Sequence, residues 1–338
     1  MAVARSGTTR GRPGERRTAR EADHRHGGFS YPPRAASEEG RAKVRVAITG
    51  GTGFVGSNTA RALLAAGHEV VLVSRGTRRV APREGLRVVR ADVIAGKGLA
   101  EAFAGCDAVV HLTAIIREKG KQTFDAVIRR GTENVVDAAR TSGVAHLVYI
   151  SAIGADPDPA FPYHYTKWMA EQAVRSSGVP FTILRPSLIF GPGDGFFTTL
   201  CSLVRYSIPV IPIAGDGGAL FQPIGIDDVV HCIALCLERG PTMRVIEIGG
   251  PEQLSYEGIV DVIHDAIGAG MRIKVHVPVG ALLPAAMVMD KVLPNPPVTP
   301  SQLRMLARHN ITRIDSVRSA FGFAPAAFTA NAGYLNER

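Results

Sequence analysis

The chain has 338 residues, 46% of them hydrophobic and 20% charged, the composition of an ordinary soluble globular protein with enough apolar material for a substantial core. Its formal net charge is +9, but residues 1–43 hold nine Arg and one Lys against five acidic residues, a net +5 that leaves +4 for the rest. With no aromatic interleaving or recognisable module beside that basic stretch, no nucleic-acid partner is expected.

Residues 1–43 contain no apolar run and are rich in Arg, Gly, Pro and Ser, so they cannot bury the surface that would offset their ordering entropy. They are expected to be disordered and dispensable for folding; a nucleic-acid or anionic-membrane arm and an alternative start at Val44 are the other readings. There is no apolar segment of the secretory kind, and the acidic residues argue against a transit peptide. Cys106, Cys201, Cys232 and Cys236 show no CxxC spacing, which fits reduced thiols in a cytoplasmic protein. Cys232 and Cys236 sit in the apolar "VVHCIALCL" and read as core residues, so no metal is expected.

From Val44 the chain alternates short β-branched runs with helical stretches: "VRVAITG", "FVGSNTARALLAAG", "EVVLVSR", "LRVVRAD", "GLAEAFAG", "DAVVHLTA", a long helix near 120–141, "AHLVYIS", a helix near 162–177 and "FTILRP". That series predicts an α/β fold, a doubly wound parallel Rossmann sheet covered on both faces. Beyond Arg185 the rhythm breaks into Gly- and Pro-rich loops with isolated helices, the pattern of a smaller C-terminal lid domain. The expected division is a dinucleotide-binding domain over residues 44–190 and a lid over 191–338, with about 226–250 returning to the first domain. Residues 279–294, "VGALLPAAMVMDKVLP", are too short and too broken to span a bilayer and read as a packed helix, or as one lying on a membrane or partner.

"TGGTGFVG" at residues 49–56 joins the first strand to the first helix and places Gly50, Gly53 and Gly56 where a tight turn, close backbone approach and close packing are needed. Thr52, Phe54 and Val55 complete a turn whose helix N-terminus favours a pyrophosphate. At the end of the second strand "LVSRGTRR" offers no carboxylate for a ribose hydroxyl; Arg75, with Arg78 and Arg79 as helpers, suits a 2′-phosphate, so NADP(H) is expected over NAD(H). Asp92 and the Val93 amide follow the third strand, where they can meet an adenine. Leu112 and Ala114, in "HLTA", end the fourth strand at the same sheet edge.

Together with "YHYTK", "RPSLIFGPGD" and "IGIDDVV", these segments resemble the extended short-chain dehydrogenase/reductase superfamily, of NAD-dependent epimerase/dehydratase type. Within it, "FTILRPSLIFGPGDGFF", "VIEIGGPEQLSY" and "PNPPVTPSQLRML" resemble the atypical branch that contains the NADPH-binding accessory subunit of respiratory complex I and its bacterial relatives. The likeness covers about residues 44–310. It implies that Tyr163 is the proton donor or acceptor and that Lys167, on the same helix face, clamps the nicotinamide ribose and lowers the Tyr pKa, while Tyr165 points elsewhere. It also implies that Pro186, Ser187 and Ile189 line the nicotinamide pocket. The chain departs from the pattern where a catalytic Ser reads as Ala152, leaving Ser151 one position early, and where a catalytic Asn reads as Ile128. Asp227 and Asp228 read as caps of the helix they open.

Two functions follow from these expectations. The first is an NADP(H)-dependent oxidoreductase, or an epimerase or dehydratase using bound cofactor, acting on a small molecule or quinone. The second is a non-catalytic NADPH-holding subunit or assembly factor of a respiratory or quinone-linked membrane complex, cytoplasmic or peripheral on the inner membrane.

Overall fold

The computed structural model describes residues 43–337 apart from positions 78, 294, 295 and 297, so the expectations placed on residues 1–42 and on Arg78 lie outside the described residues. Seven Val-, Ile- and Leu-rich strands form one parallel sheet: β1 (Arg45–Thr49), β2 (Glu69–Ser74), β3 (Leu86–Arg90), β4 (Ala108–His111), β5 (His146–Ile150), β6 (Phe181–Pro186) and β7 (Val245–Ile248). Their order is β7-β6-β5-β4-β1-β2-β3. The order reverses between β1 and β4, where Ile48 lies between Leu72 and Val110 in register, and a crevice must open at the strands' carboxyl ends there.

Alternate strand residues enter opposite cores, as a period of two requires. Ala47, Val71, Val109 and Leu147 pack under α2 (Leu99–Phe103), α3 (Arg130–Thr141) and α4 (Pro162–Arg175). Val46, Ile48, Leu72, Val110 and Val148 pack under α1 (Phe54–Ala65) and α6 (Ile226–Arg239), where Cys232 and Cys236 are buried. Near-continuous burial on both faces of the five inner strands explains why they read as apolar runs, while the edge strands β3 and β7 are partly exposed and carry charged residues.

A third core gathers α5 (Phe196–Tyr206), α7 (Tyr256–Ala266), Phe328 and the inward residues Ile211 and Ile213 of the strand Val210–Ala214, which pairs in parallel with Ile273–Val277. Two further helices follow, α8 (Val279–Val292) and α9 (Pro300–Met305), the second closed by a Thr299–Gln302 capping box. Among the described residues no helix is long and apolar enough to cross a membrane.

Two local expectations are corrected. The helix anticipated near 120–141 begins later, because Lys119 and Gln122 exchange backbone hydrogen bonds (3.0 Å each) in a tight turn and a π turn over Asp125–Arg129 precedes α3. Asp227 and Asp228 stand in the first turn of α6 but neither caps it. Asp228 is 4% exposed and accepts from the Ala326 amide at 2.9 Å, tying the C-terminal segment to the helix, and burial pushes its carboxyl up to about 6.

Candidate cofactor and active site

The turn after β1 leaves no room for a side chain at two of its glycines. Gly50 has φ +68°, and a Cβ there would lie 3.0 Å from the Leu112 carbonyl carbon; a Cβ on Gly56 would lie 2.3 Å from the Gly50 oxygen. Side chains are therefore excluded at both points. Gly53 opens α1 with no side-chain cap and no acidic residue follows in the first turn, so the amides of Phe54, Val55 and Gly56 have no intrahelical acceptor and face no competing carboxylate. An anionic diphosphate fits this cradle by charge and by space.

The turn forms one wall of a cavity of about 1130 Å³. Gly50, Thr52, Gly53, Phe54, Val55 and Gly56 line it, and so do Arg75 after β2, Asp92 and Val93 after β3, Leu112 and Ala114 after β4, Tyr163 and Lys167 on α4, and Pro186 and Ile189 after β6. These residues thus border one space; Arg79, expected as a helper beside Arg75, is not among the residues that line it. His111, the first residue of "HLTA", does not share it. It is fully buried behind the wall, and because the Thr132 hydroxyl is already a donor to the Ile128 carbonyl (2.5 Å), His111 donates to Thr132 (3.0 Å) and accepts from Thr49 (2.5 Å). Burial holds it neutral, with its pKa near 3.

After β3, one Asp92 oxygen accepts from the Ile94 amide at 2.8 Å, which fixes the carboxylate at the cavity edge. Arg75 is exposed, and the Ser74 hydroxyl beside it is engaged by the Gly76 amide at 3.2 Å. Sequence reading missed Arg90, which stands opposite Ser74 in register; a Cβ on Gly76 would lie 3.9 Å from its side chain. Only strand register, absent from a linear motif, brings Arg90 to this loop.

Pro162 opens α4 and puts Tyr163 and Lys167 one turn apart. Lys167 is 3% exposed, donates to the Ile150 carbonyl at 2.7 Å, and lies 5.1 Å over the Tyr149 ring. Burial lowers its pKa to about 7 against the opposing pull of Glu171, whose own carboxylate is gripped by Arg185 in a two-pronged pair (2.8 and 2.7 Å). Tyr163 packs edge-on to Phe124 (5.7 Å) and His164 (5.3 Å), and its hydroxyl makes no hydrogen bond to another described residue. Burial pushes the phenol up to about 12, so the expected pull of the ammonium toward phenolate is outweighed and Tyr163 is a protonated donor at neutral pH. Tyr165 turns away and stacks on Trp168 at 6.1 Å.

Ala152 lines the cavity at the position of the expected catalytic Ser, and the Asn position, Ile128, lies within the π turn with its side chain fully buried in the core. Ser151 lines the same wall, its hydroxyl buried with no partner among the described residues. The cavity then runs on into a second lobe beside α5, α8 and α9, where Phe196, Leu200, Leu203, Leu282, Met289 and Leu306 form the wall. Apolar spacing on those helices looks the same whether it faces a core or a cavity, so no sequence signal separates the two.

The profile of the NAD dependent epimerase/dehydratase family matches residues 46–249. Among characterised proteins, the chain is 27% identical over 315 residues to the 2-alkyl-3-oxoalkanoate reductase of Stenotrophomonas maltophilia, covering 83% of this chain and 95% of that protein. It is 29% identical to the ceramide reductase of Caulobacter vibrioides, over 62% of this chain and 66% of that one. Among solved structures, the dTDP-glucose 4,6-dehydratase DesIV of Streptomyces venezuelae, solved with NAD bound, superposes with a TM-score of 0.69 at 21% identity over 87% of this chain and 97% of its own, a likeness of fold.

Proposed function

Since this chain belongs to the NAD dependent epimerase/dehydratase family, we propose that it is an NADP(H)-dependent oxidoreductase that interconverts a carbonyl and a secondary alcohol. One observation carries the reading: a protonated, half-buried Tyr163 and a buried Lys167 share a cavity wall with a glycine cradle shaped for a diphosphate. When bound, the nicotinamide supplies the hydride to the carbonyl carbon. Tyr163 gives the proton to the carbonyl oxygen, so that carbonyl, NADPH and one proton become alcohol and NADP⁺. Lys167 holds the ribose, Asp92 and the Val93 amide receive the adenine, and Leu112, Ala114, Pro186 and Ile189 shut water from the nicotinamide side. The reductase and dehydrogenase names of relatives support this class of reaction.

The test is transfer of deuterium from 4-deuterated NADPH to a panel of a short ketone, an aromatic aldehyde, a keto sugar and a long-chain ketone. Deuterated alcohol formed one-for-one with NADP⁺ is the expected result; tight NADPH binding with no transfer to any probe overturns the reading. That second outcome would favour the other function, a non-catalytic NADPH-holding subunit of a respiratory or quinone-linked complex, which Ala152 and Ile128 at the two departed positions support.

The cofactor preference rests on Arg75, because β2 ends without a carboxylate and Arg90 adds a second cation to the loop. Arg75→Ala is expected to weaken NADPH about tenfold, the scale of one charge-assisted hydrogen bond at an exposed site, and to leave NADH within about twofold. Fluorescence titration of both cofactors checks it, and equal affinities untouched by the substitution would remove the preference.

A further inference from the structure

We propose that the second lobe of the cavity receives an uncharged molecule with an extended apolar body and its reacting oxygen at one end, in the manner of a long-chain ketone or secondary alcohol. The inference rests on the cofactor-site reading given above, which assigns the glycine-cradle lobe to the nucleotide. A cavity of about 1130 Å³ is larger than the roughly 300–1,000 Å³ of a single-ligand pocket, so a second occupant has room.

The lobe's chemistry selects that occupant. Its wall is the apolar set Phe196, Leu200, Leu203, Leu282, Met289 and Leu306, and several of the polar groups set among them already have a partner within the protein. The Thr199 hydroxyl donates to the Gly195 carbonyl (2.6 Å), Gln302 closes the capping box of α9, and His309 accepts from the Leu220 amide (2.9 Å). Asn310 accepts from Ser187 (2.7 Å) and donates to the Ile153 carbonyl (3.1 Å). Among the described residues the one cation lining this lobe is Arg308, paired with Asp156 at 2.9 Å and stacked 4.2 Å from the Phe161 ring. A nucleotide diphosphate would bring two negative charges to a wall with no free cation, an uncompensated cost in a site of low dielectric. An alkyl body meets no such cost and gains by leaving water.

The polar end has a place as well. Ser151 Oγ, His164 Nδ1 and Arg308 Nη1 are buried without hydrogen-bond partners among the described residues, and all three residues line the cavity. Ser151 ends β5, His164 neighbours Tyr163, and Arg308 is tied through Asp156 to the loop between β5 and α4. Unpaired buried polar atoms of this kind are costly unless a ligand oxygen satisfies them. A molecule held there presents its oxygen on the Tyr163 side and its tail to α5, α8 and α9.

Equilibrium binding of a 2-alkanone series from 2-butanone to 2-decanone to the full chain with NADPH bound, with UDP-glucose as the charged comparison, tests this without needing turnover. Affinity is expected to rise about fourfold with each added methylene until the lobe fills, and UDP-glucose is expected not to compete. Leu282→Asp and Leu203→Asp, both at half-buried positions, are each expected to flatten the series while NADPH affinity stays within about twofold. A flat series in the wild type, an unchanged slope in both variants, or UDP-glucose binding as tightly as 2-decanone overturns the proposal. Ketones that bind with the expected slope yet accept no deuterium uphold the lobe and overturn the assigned reaction; a nucleotide sugar that reacts does the reverse.

Discussion

Tyr163→Phe is expected to slow hydride transfer by roughly a hundredfold to ten-thousandfold, the usual contribution of a positioned acid, while NADPH affinity and melting temperature stay almost unchanged. The separation is clean because the substitution removes only a hydroxyl. The ring keeps its edge contacts with Phe124 and His164, and no hydrogen bond to another described residue is lost. Single-turnover measurement with saturating NADPH reads the chemical step directly. The phenol, pushed up to about 12, stays protonated from pH 6 to 9, so the wild-type reduction rate should show no limb from Tyr163 in that range. A limb near pH 7 would instead report Lys167, whose pKa burial lowers to about 7. If Tyr163→Phe transfers hydride as fast as the wild type, another group donates the proton and the assignment of α4 fails.

What sequence could and could not tell divides along the sheet. The parallel fold and the glycine turn were readable because each is a local pattern: apolar strands buried on both faces, and a strand–turn–helix in which Gly56 has no room for a Cβ. Tyr163 and Lys167 were readable because one helical turn keeps them on one face. Ionisation was not. The Lys167–Tyr163 spacing suggests a lowered phenol pKa, yet the Tyr149, Phe124 and His164 rings around the pair make desolvation the larger effect, and that surrounding is assembled from three elements. The apolar lobe was equally hidden, since Leu200 comes to border the same cavity as Leu282 and Leu306 only through tertiary folding that brings α5 beside helices much later in the chain. The caps expected of Asp227 and Asp228 failed for a related reason: Asp228 is claimed by Ala326, 98 positions away.

Lys167→Met is expected to weaken NADPH roughly tenfold to a hundredfold, the worth of a hydrogen bond from a charged donor, because methionine fills the same channel and donates nothing. The same substitution should change how stability depends on pH, a readout that needs no cofactor. In the folded wild type Lys167 has its pKa lowered from 10.5 to about 7 by burial. Between those values the unfolded chain carries a proton that the folded chain has released, so this group makes wild-type stability rise with pH across that window, by at most about 1.4 kcal/mol per pH unit. Methionine has no such proton. Whatever the variant's stability relative to wild type at pH 7, the difference should therefore shift in favour of the wild type as pH is raised from 7 to 8.5. The buried Cys232 and Cys236 thiols, which burial raises, are present in both proteins and cancel in the comparison. Urea unfolding of the cofactor-free proteins at several pH values measures the shift. Parallel stability curves would mean that Lys167 keeps its ordinary proton in the folded state, and unchanged NADPH affinity would mean that it does not hold the ribose.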